Sequence, residues 1–347
     1  MEPKSPAFSR FRRVEPKPVV LPEGDLVTER FLEDGSTFPL LIEPKVPDLD
    51  LAGWAASQLP WLEERVHRHG AILFRGFGVP DVAAFEGFAA AICGELYGEY
   101  GDLPHAGDGK KVYNSTPYPP DKTILFHNES SHTPQWPLRQ FFFCVQKAAG
   151  GGETPIVDCR RIFQMIDPEV RERFARLGLL YVRNFTPGLD VSWQDFFRTD
   201  DPALVERICR ENDIELEWRG DSLRTRQQAP AVAQHPATGE SLFFNQIQLH
   251  HVSCMEPEVR RSLAELFSEE ELPRNVYYGD GATIPDEVVQ HTLDVYWRAA
   301  VAAPWEEGDV LMLDNMLVAH ARNPYTPPRR IAVAMGRMFR REQLQTA

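Results

Sequence analysis

The stretch "KTILFHNESSHTP" places two metal-capable side chains, His127 and Glu129, two residues apart at the end of an apolar run. In an extended chain Leu125, His127 and Glu129 share one face, and Phe126 and Asn128 the other. A polar strand end would give the same pattern, so the pair needs a third donor before it means chemistry. His320 is the best-placed third donor. It closes "GDVLMLDNMLVAH", where Gly308-Asp309 turns the chain into an apolar strand and Asp314-Asn315 turns it again. Two imidazoles and a carboxylate on one face, with the opposite positions open, favour non-haem Fe(II) oxygen chemistry. A closed tetrahedral zinc site would need a fourth protein ligand and usually thiolates. The competing reading of His320 is a surface loop histidine. His250 and His251 are a rival pair, but neighbours on a strand point to opposite faces. His105, His132 and His235 sit in Pro- and Gly-rich loops and read as solvated or hydrogen-bonded.

A second constellation follows His320. In "PPRRIAVAM" (327–335), Arg330, Ala332 and Ala334 share one strand face and Ile331, Val333 and Met335 the other. An arginine followed by two alanines reads as a guanidinium aimed into a cavity with small walls, suited to bidentate carboxylate binding. A strand-end surface charge, like Arg329 beside it, is the alternative. Thr154, after "GGGE", adds a hydroxyl at a strand start, which alone signifies little because threonine is common in strands.

These residues need a frame. "AILFRGFGV" (71–79) reads as a buried strand, followed by the helix "PDVAAFEGFAAAIC". "KTILFHNE" and "LRQFFFCVQKA" read as adjacent strands, and "GGETPIVD" enters a third. A helix-rich middle, about 159–270, is interrupted by a strand-like "SLFFNQIQLHH". The last third holds the helix "PDEVVQHTLDVYWRAAVA", then strands around "DVLMLDN" and "RRIAVAMGRMF". Strands gathered at both ends with helices between imply a mainly β fold with inserted helices on a double-stranded β-helix, or jelly-roll, core, rather than a doubly wound sheet. Residues 1–20, basic and Pro-rich without an apolar segment, read as a flexible arm and not a secretory signal. Residues 21–347 read as a single domain.

Composition narrows the function classes. The 347 residues are 43% hydrophobic and 25% charged, as in soluble globular proteins. No window approaches an 18-residue apolar stretch, so no membrane span is expected. The net charge of −14 argues against non-specific nucleic-acid binding, which needs clustered Lys and Arg. Five scattered cysteines without a CxxC fit reduced thiols and a cytoplasmic location. The oligomeric state is not legible.

"FHNE", "GGETPIVD" and "W…GDVLMLDNMLVAHARNPYTPPRRIAVAM" together resemble the taurine dioxygenase/TfdA family of Fe(II)- and 2-oxoglutarate-dependent oxygenases, in element order over roughly residues 70 to 340. "YNSTPYPPDKTILFHNE", "LFFNQ" and "NVYYGDGATIP" look closest to its SyrP-like, syringomycin-biosynthesis branch. The resemblance implies that His127, Glu129 and His320 hold Fe(II), that Thr154 and Arg330 bind the 2-oxoglutarate cosubstrate, and that O2 is consumed. It implies hydroxylation of an aliphatic C–H of an amino acid, free or tethered to a peptidyl carrier protein, in natural-product assembly. Desaturation or cyclisation of another small molecule, or a non-catalytic binding protein on the same scaffold, are the alternatives. Asn114, Ser115, Asn128, Asn245 and Arg224, with Arg226 beside it, are candidate substrate contacts, each with an ordinary loop or strand hydrogen bond as its alternative. Two positions depart from the family pattern. Glu129 stands where Asp is more frequent, and Ala334 replaces a further arginine of taurine dioxygenase, which weakens a sulfonate substrate. An intact carboxylate ligand argues against the related halogenases.

Overall fold

Side chains that alternate between two buried faces along three neighbouring strands explain how one sheet serves two cores. The computed structural model describes residues 26–32, 35–98, 111–114, 118–189 and 191–344. The 1–20 arm, His105 and Ser115 lie outside the described residues.

A seven-stranded sheet runs in the order Val27–Phe31, Leu40–Pro44, Ala71–Phe74, Val310–Asp314, Gln135–Gln146, Arg330–Arg340, Tyr113–Asn114. All neighbours are antiparallel except Leu40–Pro44 and Ala71–Phe74, which run parallel. Leu311 lies opposite both Leu73 and Phe142, and all three enter one core with Ile331 and Val333. Met312 lies opposite Ile72 and Phe141 and enters the other core with Ala332 and Ala334. Period-two alternation has therefore sorted the side chains onto both buried faces of the sheet.

The second core is covered by helices. Val82–Cys93 starts where the Asp81 side chain accepts the Ala84 N–H at 2.8 Å, and ends at Gly94 with φ +76°. It buries Phe85, Phe88 and Ile92 at helical spacing, with Phe85 stacked on Phe143. The first core is closed by a three-stranded sheet, Ile124–His127, Val318–Arg322, Ile156–Asp158, and by the helix Asp286–Ala299. Phe126 packs on Tyr296 and Trp297 of that helix, fixing the outward face of its strand.

The middle of the chain differs from the helical insert expected over 159–270. It contains three strands of a four-stranded antiparallel sheet, Ile214–Arg219, Ser222–Ala229 and Leu179–Phe185, completed by Arg274–Tyr278. "IELEWR" carries the period-two signal, which the flanking helices obscured. The expected strand at 241–251 is a strand only over Ser241–Phe243; Ile247–His250 is helical. No helix among the described residues is long and apolar enough to cross a membrane.

Candidate metal centre

His127 is the last residue of Ile124–His127 and pairs directly with His320 on Val318–Arg322. Their ring centroids are 4.2 Å apart. Glu129 lies just past the strand end, before Ser130 with φ +56°. One ligand atom from each of His127, Glu129 and His320 lies within 4.8 Å of the others. The His127 Nδ1–H donates to the Leu125 carbonyl at 2.9 Å, which leaves its Nε2 lone pair for a ligand. His320 is buried, and its Nδ1 has no hydrogen-bond partner. Burial, and then the neighbouring His127, pushes the His320 imidazole well below its ordinary pKa, so it is neutral at pH 7. Imidazoles with an unspent ring nitrogen beside a carboxylate fit a divalent cation such as Fe(II).

A second cluster meets the same distance test. His67, His235 and Asp314 also bring ligand atoms within 4.8 Å of one another. Here the lone pairs are already spent. Asp314 Oδ2 accepts from Arg139 Nη1 at 2.5 Å and lies 3.1 Å from His235 Nε2. Its Oδ1 accepts the Met316 and Leu317 N–H groups. The His235 Nδ1 accepts from Ala237 and Thr238 N–H, so its proton sits on Nε2 and donates to Asp314. Arg139 Nη2 donates to His67 Nε2 at 3.2 Å and to Glu63 at 2.7 Å. This cluster is a buried charge network, and His235 is hydrogen-bonded, one of the two states expected from sequence, but in the core rather than at the surface.

The pocket at the triad continues to Thr154, Arg322 and Arg329, with Ile124, Phe142, Ile331 and Val333 as apolar walls. Among the described residues no carboxylate pairs with Arg322 or Arg329. Burial, and then Arg322, pushes the Arg329 guanidinium down to about 10. The Arg329 Nε–H donates to the Gly152 carbonyl at 2.8 Å. Gly152 has φ +78°, and a Cβ there would come within 2.9 Å of Arg329 Cδ and Tyr325 Cβ. The glycine turn is thus what lets Arg329 approach Thr154. Arg322 spends its terminal N–H groups on the Tyr118, Pro119 and Lys122 carbonyls, pinning that loop.

Arg330 itself is exposed at the strand start, so its expected place in the cavity is corrected to Arg329, one residue earlier. The cavity face carries Ile331 and Val333. Ala332 and Ala334 are small because the helix Val82–Cys93 packs on their side; two residues on, a Cβ on Gly336 would meet Cys93 Sγ at 2.7 Å. The substrate candidates also move. Asn128 is fully buried and bonds the Asn315 carbonyl and the Asn245 N–H. Asn245 bonds the Ala231 carbonyl and the Ile247 N–H. Both hold backbone rather than line the pocket. Arg224 lies on the separate four-stranded sheet, 3.7 Å from Glu270, and Asn114 lies at a sheet edge opposite Ala332. Neither lines the triad pocket. His250 and His132 form a half-buried ring cluster with Tyr181, and His250 lies on a helix rather than on the expected strand. Sequence reading missed Arg329, Gln140 and Asn315. The odd-numbered parity of Arg329, Ile331 and Val333 was the available signal for the first.

The chain is similar to several known proteins. The family described as "Taurine catabolism dioxygenase TauD, TfdA family" matches residues 36–336. The chain is 38% identical over 276 residues to the dapdiamide synthesis protein DdaC of Enterobacter agglomerans, covering 79% of this chain and 84% of that one. It is 29% identical over 333 residues to a clavaminate synthase-like protein of Arabidopsis thaliana, covering 87% and 94%. Among solved structures, PvcB of Pseudomonas aeruginosa superposes with a TM-score of 0.54 at 18% identity over 92% of this chain and 96% of that one.

Proposed function

The chain belongs to the TauD/TfdA dioxygenase family, and on that premise we propose that it is an Fe(II)- and 2-oxoglutarate-dependent oxygenase that hydroxylates an aliphatic C–H of an amino acid or carrier-bound aminoacyl group in natural-product biosynthesis. The observation that carries the reading is the convergence of His127, Glu129 and His320 with imidazole nitrogens still unspent. In this reading the two sheets that enclose the first core form the jelly-roll.

His127, Glu129 and His320 would hold the ferrous ion. When bound, Fe(II) supplies O2 activation, driven by oxidative decarboxylation of 2-oxoglutarate to succinate and CO2. The protein's own share is positioning. Arg329, a cation without an acidic partner among the described residues, and the Thr154 hydroxyl receive the distal carboxylate of the cosubstrate. Ile124, Phe142, Ile331 and Val333 keep that end of the pocket dry, which strengthens the ion pair. No side chain is needed as a general base.

Support for an amino-acid-like substrate comes from the kinship to a dapdiamide synthesis protein. A peptidyl carrier protein as the substrate's bearer, and a cytoplasmic setting, belong to the same proposal. The test is Fe(II)-dependent succinate formation from 2-oxoglutarate, followed by mass spectrometry for a +16 product across free amino acids and aminoacyl carrier proteins. Succinate formation that ignores Fe(II) would sink the reaction class. Iron-dependent succinate without any +16 product in either substrate set would sink the amino-acid reading.

A further inference from the structure

Asn315 and Gln140 both hold Glu129, and we infer that they are positioning residues that restrict it to ligation through one oxygen. The inference rests on the metal reading above. Asn315 is fully buried. Its Oδ1 accepts the Glu129 main-chain N–H at 2.7 Å, and its Nδ2 donates to the Glu129 carbonyl at 2.9 Å. Nδ2 also donates to the Pro137 carbonyl at 2.9 Å, and the Asn315 carbonyl takes Asn128 Nδ2 at 2.7 Å. Only an amide side chain offers an acceptor and a donor in this spacing, and the partners fix which end is which. The peptide unit bearing the ligand is therefore tied to a turn 186 residues away.

The carboxylate has its own restraint. Gln140, 1% exposed, projects from Gln135–Gln146 into the same pocket, and its Nε2 donates to Glu129 Oε2 at 3.3 Å. A carboxylate only accepts, so the amide orientation follows. The Gln140 Oε1 is buried without a partner, so the bond to Glu129 is what orients the amide. Glutamate has one methylene more than aspartate and reaches more easily around a cation with both oxygens. Two-oxygen ligation would consume a position that a keto acid or O2 requires. A hydrogen bond to one oxygen opposes that mode. Gln140 thus offsets the extra reach of Glu129.

Co(II) in place of Fe(II) tests this without turnover, read as binding affinity, visible d–d absorption, and 2-oxoglutarate affinity of the Co(II)-loaded protein. Gln140→Met is expected to change the Co(II) spectrum before 2-oxoglutarate is added, and then to weaken 2-oxoglutarate binding about tenfold. Asn315→Ala is expected to weaken Co(II) binding about 10- to 100-fold. Asn245→Ala, also at a buried asparagine but one that makes no bond to Glu129 among the described contacts, should lower the melting temperature and leave the Co(II) spectrum as it is. If Asn315→Ala does not fold, Gln140→Met decides alone. Wild-type spectra in both variants would overturn the inference, as would weaker 2-oxoglutarate binding by Gln140→Met with an unchanged Co(II) spectrum. Failure of the wild-type protein to bind Co(II) would instead remove the metal reading beneath it.

Discussion

His127–Glu129–His320 and His67–His235–Asp314 have the same composition, two imidazoles and a carboxylate, and in each the ligand atoms lie within 4.8 Å of one another. They differ in what fills the middle. In one, the Arg139 guanidinium touches both Asp314 and His67, and backbone N–H groups occupy the remaining acceptors. In the other, a buried ring nitrogen has nothing to bond, and the cations stand further along the pocket at Arg322 and Arg329. The difference teaches that donor types and spacing do not make a metal site. Unspent lone pairs do, and only a full hydrogen-bond account separates the two cases.

The largest expected effect follows directly. His320→Ala should abolish stoichiometric metal binding and turnover, whereas His235→Ala should keep one metal per chain and lose only stability. Metal analysis of the two purified variants checks this, and equal metal loss in both would erase the distinction.

Next is Arg139→Met, which strands Asp314 in the interior and should cost about 3–5 kcal/mol. Its pH dependence sharpens the point. Burial raises the Asp314 pKa, but Arg139 and then His235 outweigh it and hold the carboxyl below the usual carboxylate range. Such a depressed group contributes stability above its unfolded value of about 3.9, lost as pH falls below it. Wild-type melting temperature should therefore drop below about pH 4 from this source. Without Arg139 the strongest pull downward on the Asp314 pKa is gone and the folded value moves up, so this acid-linked loss of stability should shrink in the variant.

Smaller effects separate neighbours. Arg329→Ala should raise the 2-oxoglutarate requirement about 10- to 100-fold, the loss expected for one or two charge-assisted hydrogen bonds. Arg330→Ala, on an exposed side chain, should shift it less than about twofold. Steady-state KM for 2-oxoglutarate in both variants reads this out. The smallest is His67→Gln, a half-buried partner of Arg139, at about 1 kcal/mol in chemical denaturation with metal affinity unaltered.

How much of this was legible beforehand depends on range. The metal-capable pair and its distant partner were readable because His127 ends a strand, Glu129 follows in the turn, and His320 lies on the short strand entered from the Asp314-Asn315 turn. The strands of the large sheet were readable because they are continuous apolar runs. Arg330 was chosen over Arg329 because two following alanines look like cavity walls. Small residues equally mark a closely packed helix, and the sequence does not say which side the helix Val82–Cys93 covers. Asn315 read only as a turn residue, since its bonds reach Glu129 and Pro137 far back in the chain. The four-stranded sheet in the middle stayed hidden because its short alternating segments lie between amphipathic helices.

The pairing of His127 with His320, secured by Asn315 on Glu129, also sets when the site can exist during synthesis. Residue 320 must leave the ribosome before the last ligand arrives, and the loop to be closed back to residue 127 is almost two hundred residues long. Any cation captured earlier by His127 and Glu129 alone would be held by two donors in an unfinished sheet. Loading is thus a late event, timed by the strand that carries residue 320.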